Sequence, residues 1–486
     1  MRSYPPVASF KTVVSFRAYL DKLGVELPMD DACDGTDSPL ATPCYWGERK
    51  IGNRWCIQPM EGWDGTAEGN PTELTIRRWR HFGESGAKLI WGGEATAVRH
   101  DGRANPRQLC ITEQTAAGLA ELRSTLVRAH KECYGQTDDL MLGLQLTHSG
   151  RFSKPNEHGK PEPRIAYHHP LLDARTGVDP DDDNVIFTDT ELDDLIADFV
   201  KAAKTAWNLG FDFVDVKQCH GYLGHELLSA RTRPGRYGGS FAGRTNFLRT
   251  VITGIKQECP GLLIGVRLSA FDSVPFHPDP ALSTPEKPGP GRPVPYEHLL
   301  PYVYGFGCNQ GNPLEPDLDE PKQLLDLLRE LGVMAVDITA ASPYYNHHLQ
   351  RPTLYPPSDG YQPPEDPLLG VYRQIKAVAE LKRYAPDLLL IGSAYTYLQE
   401  YLPPVAQALV AQGWTDCIGI GRMVLSYPKY PADVLARQVD AKRLCRTFSD
   451  CTTAPRKGLV SGCYPLDEYY KKRPERAQLI RLKKGV

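Results

Sequence analysis

The sequence predicts a (β/α)8 TIM barrel with an N-terminal extension, long loops after strands three, five and six, and a C-terminal tail. Three observations carry this prediction. From about residue 54, short aliphatic runs alternate with longer amphipathic ones through eight rounds, the order that builds a parallel sheet wrapped by helices. Within the runs, aliphatic residues alternate with glycine or polar residues, so one face meets helices and the other faces a barrel interior. The polar members fall towards the C-terminal ends of the runs, where barrel enzymes place their chemistry. An open doubly wound sheet is the other arrangement this order allows.

The strands are expected at 54–58, 88–93, 140–147, 211–217, 262–268, 333–339, 387–392 and 415–420. The helices are expected near 72–86, 113–135, 189–209, 242–259, 320–332, 366–385, 396–412 and 428–440. The third strand sets Leu140, Leu142, Leu144 and Leu146 against Met141, Gly143, Gln145 and Thr147. The fourth sets Val214 and Val216 against Phe213, Asp215 and Lys217, and the fifth sets Ile264, Val266 and Leu268 against Gly265, Arg267 and Ser269. Thr188 and Glu191 have the spacing of a capping box at the start of the third helix. Two stretches interrupt the alternation. Residues 275–321 hold 12 prolines in 47 residues, and residues 343–367 carry Tyr344, Tyr345, His347, His348, Tyr355 and Tyr361. Both follow strands on the active-site side and are expected to form a lid or substrate wall. The acidic run Asp179–Asp183 lacks the spacing of a calcium loop and reads as solvated surface.

Division of 486 residues by about 150 suggests three domains, but barrels pass 250 residues as one unit. The expected division is an extension over 1–50, a barrel over 51–440 with a Pro-rich insertion at 275–321, and a tail over 441–486. The hydrophobic fraction of 41% supports a large core, and the net charge of −3 provides no global basic field for nucleic acid or an anionic membrane. No apolar run approaches the ~18–20 residues of a membrane span, and Met1–Leu20 shows no signal-peptide core, so a cytoplasmic protein is expected. The twelve cysteines are spread along the chain without any C-x-x-C pair, which argues against a disulfide scaffold, a zinc ribbon or a thioredoxin-type pair.

Residues 210–244 read GFDFVDVKQCHGYLGHELLSARTRPGRYGGSFAGR. This segment resembles the old yellow enzyme family, flavin-dependent barrels whose fourth strand ends in H-x-x-[HN]-x-Y before an L-S-P…R-T-D-x-Y-G-G-S stretch. Further matches fall in the family's order: Gln58-Pro59-Met60 at the first strand, GGEATAV at 92–98 before Asp101-Gly102-Arg103, and GLQLTHSGR at 143–151. VRLSAFD at 266–272, Ile391-Gly392-Ser393 and IGIGRMVLSYP at 418–428 complete the series. The resemblance spans roughly 50–440 and implies FMN across the barrel mouth. By its motifs, Pro59, Met60 and Ala95 would flank the isoalloxazine ring, Gln145 would bond its pyrimidine edge, and Arg267 would reach its N1/O2 side. Ser393, Ala394, Gly421 and Arg422 would hold the phosphate, a placement that agrees with barrel phosphate sites after strands seven and eight. NADH or NADPH would reduce the flavin, which would pass hydride to an activated alkene. Tyr222 would protonate it, and His220 would bind its carbonyl.

The sequence also departs from the family. Lys217 stands where the family has its first carbonyl-binding histidine, and it is read either as a substrate or flavin contact or as an ion-pair partner of Asp215. In the tail, Cys451 and Cys463 keep the spacing of the last two iron–sulfur ligands of dienoyl-CoA reductases and trimethylamine dehydrogenases. Leu444 and Thr447 stand at the other two positions, with Cys445 displaced by one, so no cluster or other metal is expected. The chain ends some two hundred residues before the second nucleotide domain of those relatives would, so electrons are expected from a nicotinamide or from an electron-donor protein. Three alternatives stay open: a flavin-dependent amine or N-methyl dehydrogenase, a flavin-free lyase using Lys217, and a barrel that only binds a ligand. The sequence leaves a homo-oligomer open.

Overall fold

A computed structural model describes residues 4–284 and 287–484. Eight parallel strands close on themselves: β1 Trp55–Ile57, β2 Leu89–Ile90, β3 Met141–Thr147, β4 Phe213–Val216, β5 Leu263–Ser269, β6 Ala335–Thr339, β7 Leu389–Gly392 and β8 Cys417–Ile420. Each pairs with its neighbour in sequence and β8 pairs with β1, so the closed barrel is formed and the open sheet is not. The outer ring consists of α1 Glu73–Glu84, α2 Ala116–Tyr134, α3 Asp189–Asn208, α4 Phe241–Glu258, α5 Asp319–Glu330, α6 Pro367–Tyr384, α7 Leu402–Ala411 and α8 Tyr430–Leu435. The capping box of Thr188 and Glu191 opens α3.

The two faces of the strands separate as their alternation requires. Leu142, Leu144, Leu146, Val214, Val216, Ile264, Val266 and Leu268 join the helix-facing core. Met141, Phe213, Cys56, Trp91, Ala335, Ile391 and Cys417 form a second cluster. A hairpin of Cys44–Trp46 and Arg49–Ile51 contributes to that cluster. Trp46 stacks on Trp91 with ring centroids 5.6 Å apart. A side chain at Gly265 would fall 2.7 Å from Trp91, so only glycine fits there. The helix Val13–Leu23 lies against the far side, with Phe16 stacked on Tyr401 and Tyr19 donating to Asp366.

The last two helical units differ from expectation for local reasons. Gln399 has a left-handed φ of 51°, and Pro403-Pro404 begin a fresh helix, so 396–412 is a tight turn followed by α7. Pro428 stops the helix Met423–Ser426, and α8 restarts with Pro431 in its first turn, so 428–440 is not one helix. Among the described residues no helix is long and apolar enough to cross a membrane.

Candidate functional site

A cavity of about 230 Å3 opens at the C-terminal mouth of the barrel. Its floor is a polar layer contributed by strand ends. Asp215 on β4 accepts from Trp91 Nε1 at 2.9 Å, Gln145 Nε2 at 2.5 Å and the Arg267 amide at 2.7 Å. Asp337 on β6 accepts from Gln58 Nε2 at 2.7 Å and lies 3.0 Å from Arg267 Nε, close enough for charge pairing although not aligned as a hydrogen bond. Gln58 also donates to Ser393 Oγ at 2.6 Å, and Ser393 in turn donates to the Ile338 carbonyl. Burial pushes the carboxyl of Asp215 up to about 6 and that of Asp337 to about 7, each partly countered by its hydrogen bonds and by Arg267.

Above this floor lies a cluster centred on Glu61. Its Oε1 accepts from Lys217 Nζ at 2.8 Å, and its Oε2 accepts from Tyr222 at 2.7 Å and from Trp63 Nε1 at 3.0 Å. The Tyr344 hydroxyl lies 2.9 Å from that of Tyr222, and Lys217 Nζ sits 3.8 Å from the centre of the Tyr222 ring. Burial, reinforced by Glu61, raises the Tyr222 phenol well above its ordinary value, so it stays protonated. The loop that presents Glu61 is anchored by Arg78 of α1, which binds Asp64 through both terminal nitrogens at 2.8 Å and Glu94 at 3.0 Å. Gly62 donates to Glu94, and a side chain at Gly62 would fall 2.1 Å from Arg78. His220 has a left-handed φ of 67°, held by its amide donating to Ser269 and its carbonyl accepting from Ser342. Its ring meets the Gln350 amide at 3.2 Å, and burial lowers its pKa so that it is neutral.

The opposite end of the cavity is cationic. Arg351, Arg422 and Arg456 converge there from the loop after β6, the turn after β8 and the tail. Arg456 pairs with Asp359 at 3.1 Å, but among the described residues no carboxylate pairs with Arg351 or Arg422. Arg351 Nη1 donates to Thr452 Oγ1, while Arg351 Nε and Nη2 and Arg422 Nη1 are buried without partners. Burial and then the charges of Arg422 and Arg456 pull Arg351 down to about 9. The amides of Ala394, Gly421 and Arg422 have no acceptor among the described residues, and Ala394 adopts φ 72°. Unpartnered guanidinium and amide hydrogens around one space form a receptor for a phosphate-type anion.

All twelve residues singled out in the sequence line this cavity: Pro59, Met60, Ala95, Gln145, Lys217, His220, Tyr222, Arg267, Ser393, Ala394, Gly421 and Arg422. One of the two alternatives for Lys217 falls, and one expectation needs correction. Lys217 does not pair with Asp215, whose oxygens are taken by Trp91, Gln145 and Arg267; its partner is Glu61. Among its described residues the insertion 275–321 supplies none that lines the cavity; its hairpin of Phe276–Pro278 and Gly291–Pro293 packs behind the 343–367 loop, which does line the cavity. The sequence reading placed Tyr344 in the expected 343–367 wall and missed Glu61, Trp63, Gln350, Arg351 and Arg456, from the segments after β1 and β6 and from the tail. Only Glu61, next to the Pro59-Met60 motif, carried a signal. Cys451 lines the cationic end and Cys445 is buried nearby, but among the described residues no three His, Cys, Asp or Glu side chains gather as metal ligands.

The fold and site together define a (β/α)8 barrel with an anion receptor after strands seven and eight and a Tyr–His pair above a polar floor. A model of the NADH:flavin oxidoreductase / NADH oxidase family matches residues 39–279, so this stretch of the chain is similar to that family. It is 30% identical over 239 residues to an NADPH dehydrogenase of Geobacillus sp. (strain WCH70), covering 47% of this chain and 62% of the relative. It is 29% identical over 251 residues to a putative 12-oxophytodienoate reductase 4 of Oryza sativa subsp. japonica, covering 50% and 61%. The chain thus spans about three-fifths of the length of these curated relatives. Among solved structures, 2-naphthoyl-CoA reductase superposes with a TM-score of 0.64 at 16% identity, covering 89% of this chain and 57% of that one. Histamine dehydrogenase from Rhizobium sp. 4-9 gives 0.60 at 18%, covering 87% and 52%. Morphinone reductase gives 0.55 at 18%, covering 84% and 91%. At these identities the structures attest the shared barrel.

The Lys217–Glu61 pair makes a stability prediction. Lys217→Met is expected to cost about 1–3 kcal/mol in urea unfolding by leaving the Glu61 charge without its cation, and Glu61→Gln in the same chain should recover most of it. Lys217→Met combined with Asp215→Asn should be additive. Coupling to Asp215 instead of Glu61 would reverse the assignment.

Proposed function

We propose that the protein is an FMN-dependent oxidoreductase that moves hydride between a nicotinamide and an activated alkene, an enone, enoate or dienoyl thioester. The observation that carries this reading is the joining, in one cavity, of an anion receptor and the Tyr222–His220 pair across the Arg267 and Gln145 floor. The fit to FMN rests on the unpartnered guanidinium nitrogens of Arg351 and Arg422 and the free amides beside them, which suit its phosphate. Pro59, Met60 and Ala95 would border the ring, Gln145 its pyrimidine edge and Arg267 its N1/O2 side. Bound FMN would supply hydride transfer. The chain's own residues do the rest: His220 orients the carbonyl of the substrate, Lys217 adds positive charge beside it, and Tyr222 exchanges a proton with the carbon next to it. NADH or NADPH is the proposed reductant. Delivery by an electron-donor protein and a homo-oligomeric state remain further proposals.

The relatives named for NADPH, 12-oxophytodienoate and 2-naphthoyl-CoA support this reading. A flavin-dependent amine dehydrogenase is the second reading, because Glu61 places a carboxylate at the cavity beside Tyr222, as an ammonium ligand would need. The lyase is disfavoured, since Lys217 is engaged by Glu61 and does not stand free as an amine nucleophile. Anaerobic stopped-flow reduction of the flavin, followed by reoxidation with alkenes and amines in turn, tests these readings. Failure of every alkene to reoxidise the reduced enzyme would sink the first.

Three outcomes are expected. Tyr222→Phe should slow alkene reduction by about 10²-fold or more while leaving flavin reduction by nicotinamide nearly unchanged; equal losses in both half-reactions would mean that Tyr222 positions the flavin. Arg351→Met should weaken FMN binding about tenfold or more by fluorescence titration and leave riboflavin, which lacks the phosphate, nearly unaffected. A parallel loss for riboflavin would remove Arg351 from the phosphate site. One FMN and no iron–sulfur cluster are expected per chain, and stoichiometric iron with acid-labile sulfide in purified protein would contradict the second half.

A further inference from the structure

Tyr222 has one hydroxyl hydrogen, and its place is fixed by counting donors. Glu61 Oε2 lies 2.7 Å from the Tyr222 oxygen, and an ionised carboxylate only accepts, so Tyr222 donates to it. With that hydrogen committed, Tyr344 must be the donor in its 2.9 Å contact with Tyr222. Trp63 Nε1 and Lys217 Nζ donate to Glu61 as well. Each of these contacts therefore directs a hydrogen along a chain that ends on Glu61. Tyr222 meets the cavity with an oxygen lone pair and no free hydrogen.

This polarity constrains the proton chemistry. A Tyr222 that gave up its proton with Glu61 ionised would leave a phenolate 2.7 Å from a carboxylate in a buried site, two like charges that oppose one another strongly. Accepting a proton meets no such obstacle, because the hydrogen already on Tyr222 passes to Glu61 as the new one arrives. Glu61 is also the member of the pair with an outlet: its side chain is 14% exposed, whereas Tyr222 is 2% exposed.

We propose that Glu61 is the proton terminus of this site and that Tyr222 conducts protons between Glu61 and the ligand. The proposal rests on the flavin oxidoreductase reading, which supplies the hydride partner. In the oxidative direction a C–H bond of the ligand breaks and its electron pair leaves as hydride to the flavin. The proton on the adjacent carbon or nitrogen goes to the Tyr222 oxygen, and the Tyr222 O–H proton goes to Glu61. In the reductive direction the same bonds re-form in reverse, and a protonated Glu61 is the ultimate source of the hydrogen added next to the carbonyl. The arrangement in the structure is the proton-accepting one, which suits a saturated carbonyl compound or an amine as the ligand.

Two measurements with Glu61→Gln test this, with Glu61→Gln/Lys217→Met as the charge-balanced control. In flavin-free protein, ultraviolet titration of the phenol that disappears in Tyr222→Phe should show Tyr222 ionising about one unit or more lower once the Glu61 charge is removed. An unmoved titration overturns the proposal. In the alkene half-reaction, the rate against deuterium fraction should be curved in the wild type, for two protons in flight. It should be linear and about 10²-fold slower in both Glu61 variants, with Tyr222→Phe adding no further loss. A linear wild-type dependence, or a Glu61→Gln rate within about threefold of wild type, overturns it also. If no alkene or amine reacts at all, the oxidoreductase reading falls, while the titration still decides whether Glu61 holds the Tyr222 proton.

Discussion

The barrel depends on two carboxylates placed where strands would otherwise meet only through their backbones. Asp215 joins β4 to groups at the ends of β2, β3 and β5, and Asp337 joins β6 to Arg267 of β5 and, through Gln58 and Ser393, to β1 and β7. Seven of the eight strands are thereby tied at one level. Buried charges are costly unless every lone pair is met, and Asp215 meets that condition with three donors. Asp337 is met less completely, since the Arg267 contact is a charge pairing without hydrogen-bond alignment. The layer therefore fixes the register of the mouth and leaves Arg267 at the cavity wall.

A second anchoring works from outside the strands. Arg78 of α1 holds Asp64 and Glu94, and between them runs the short loop that carries Glu61 and Trp63. Trp63 takes a left-handed φ of 50°, a conformation that a bulky residue adopts only where its surroundings dictate it. The carboxylate at the centre of the site is thus delivered by a loop whose shape is set by a helix on the outer ring. The roles of Lys217 and Tyr222 cannot be described apart from that loop.

Much of this was legible in the sequence, and the reason is periodicity. Strand residues alternate with period two, so Val214 and Val216 facing the helices oblige Asp215 and Lys217 to face inward, and the same logic finds Gln145 and Arg267. The closing turns after β7 and β8 were legible because glycine and arginine there match a recognisable pattern. Residues on loops obey no such period. Arg351 and Arg456 reach the cavity only because the 343–367 loop and the tail fold back over the mouth, and nothing in their spacing announces it, whereas Tyr344 was expected there from the place of its loop after β6. The partner of Lys217 was hidden for the same cause: Asp215, the one partner weighed for it, is its neighbour along the strand, but Glu61 is its neighbour in space. The Pro-rich insertion was misread through proximity in sequence, since following an active-site strand did not place it at the cavity.

The tail contributes Cys451, Thr452, Pro455, Arg456 and Ser461 to the cavity wall. It is therefore part of the cationic wall, and an anion captured there would be coupled to the docking of residues 450–461. Linkage makes such coupling reciprocal: whatever the ligand gains from a docked tail, the tail gains equally from a bound ligand. Occupancy of the cationic end would thereby be reported some distance away, in how firmly the last segment of the chain is held to the barrel.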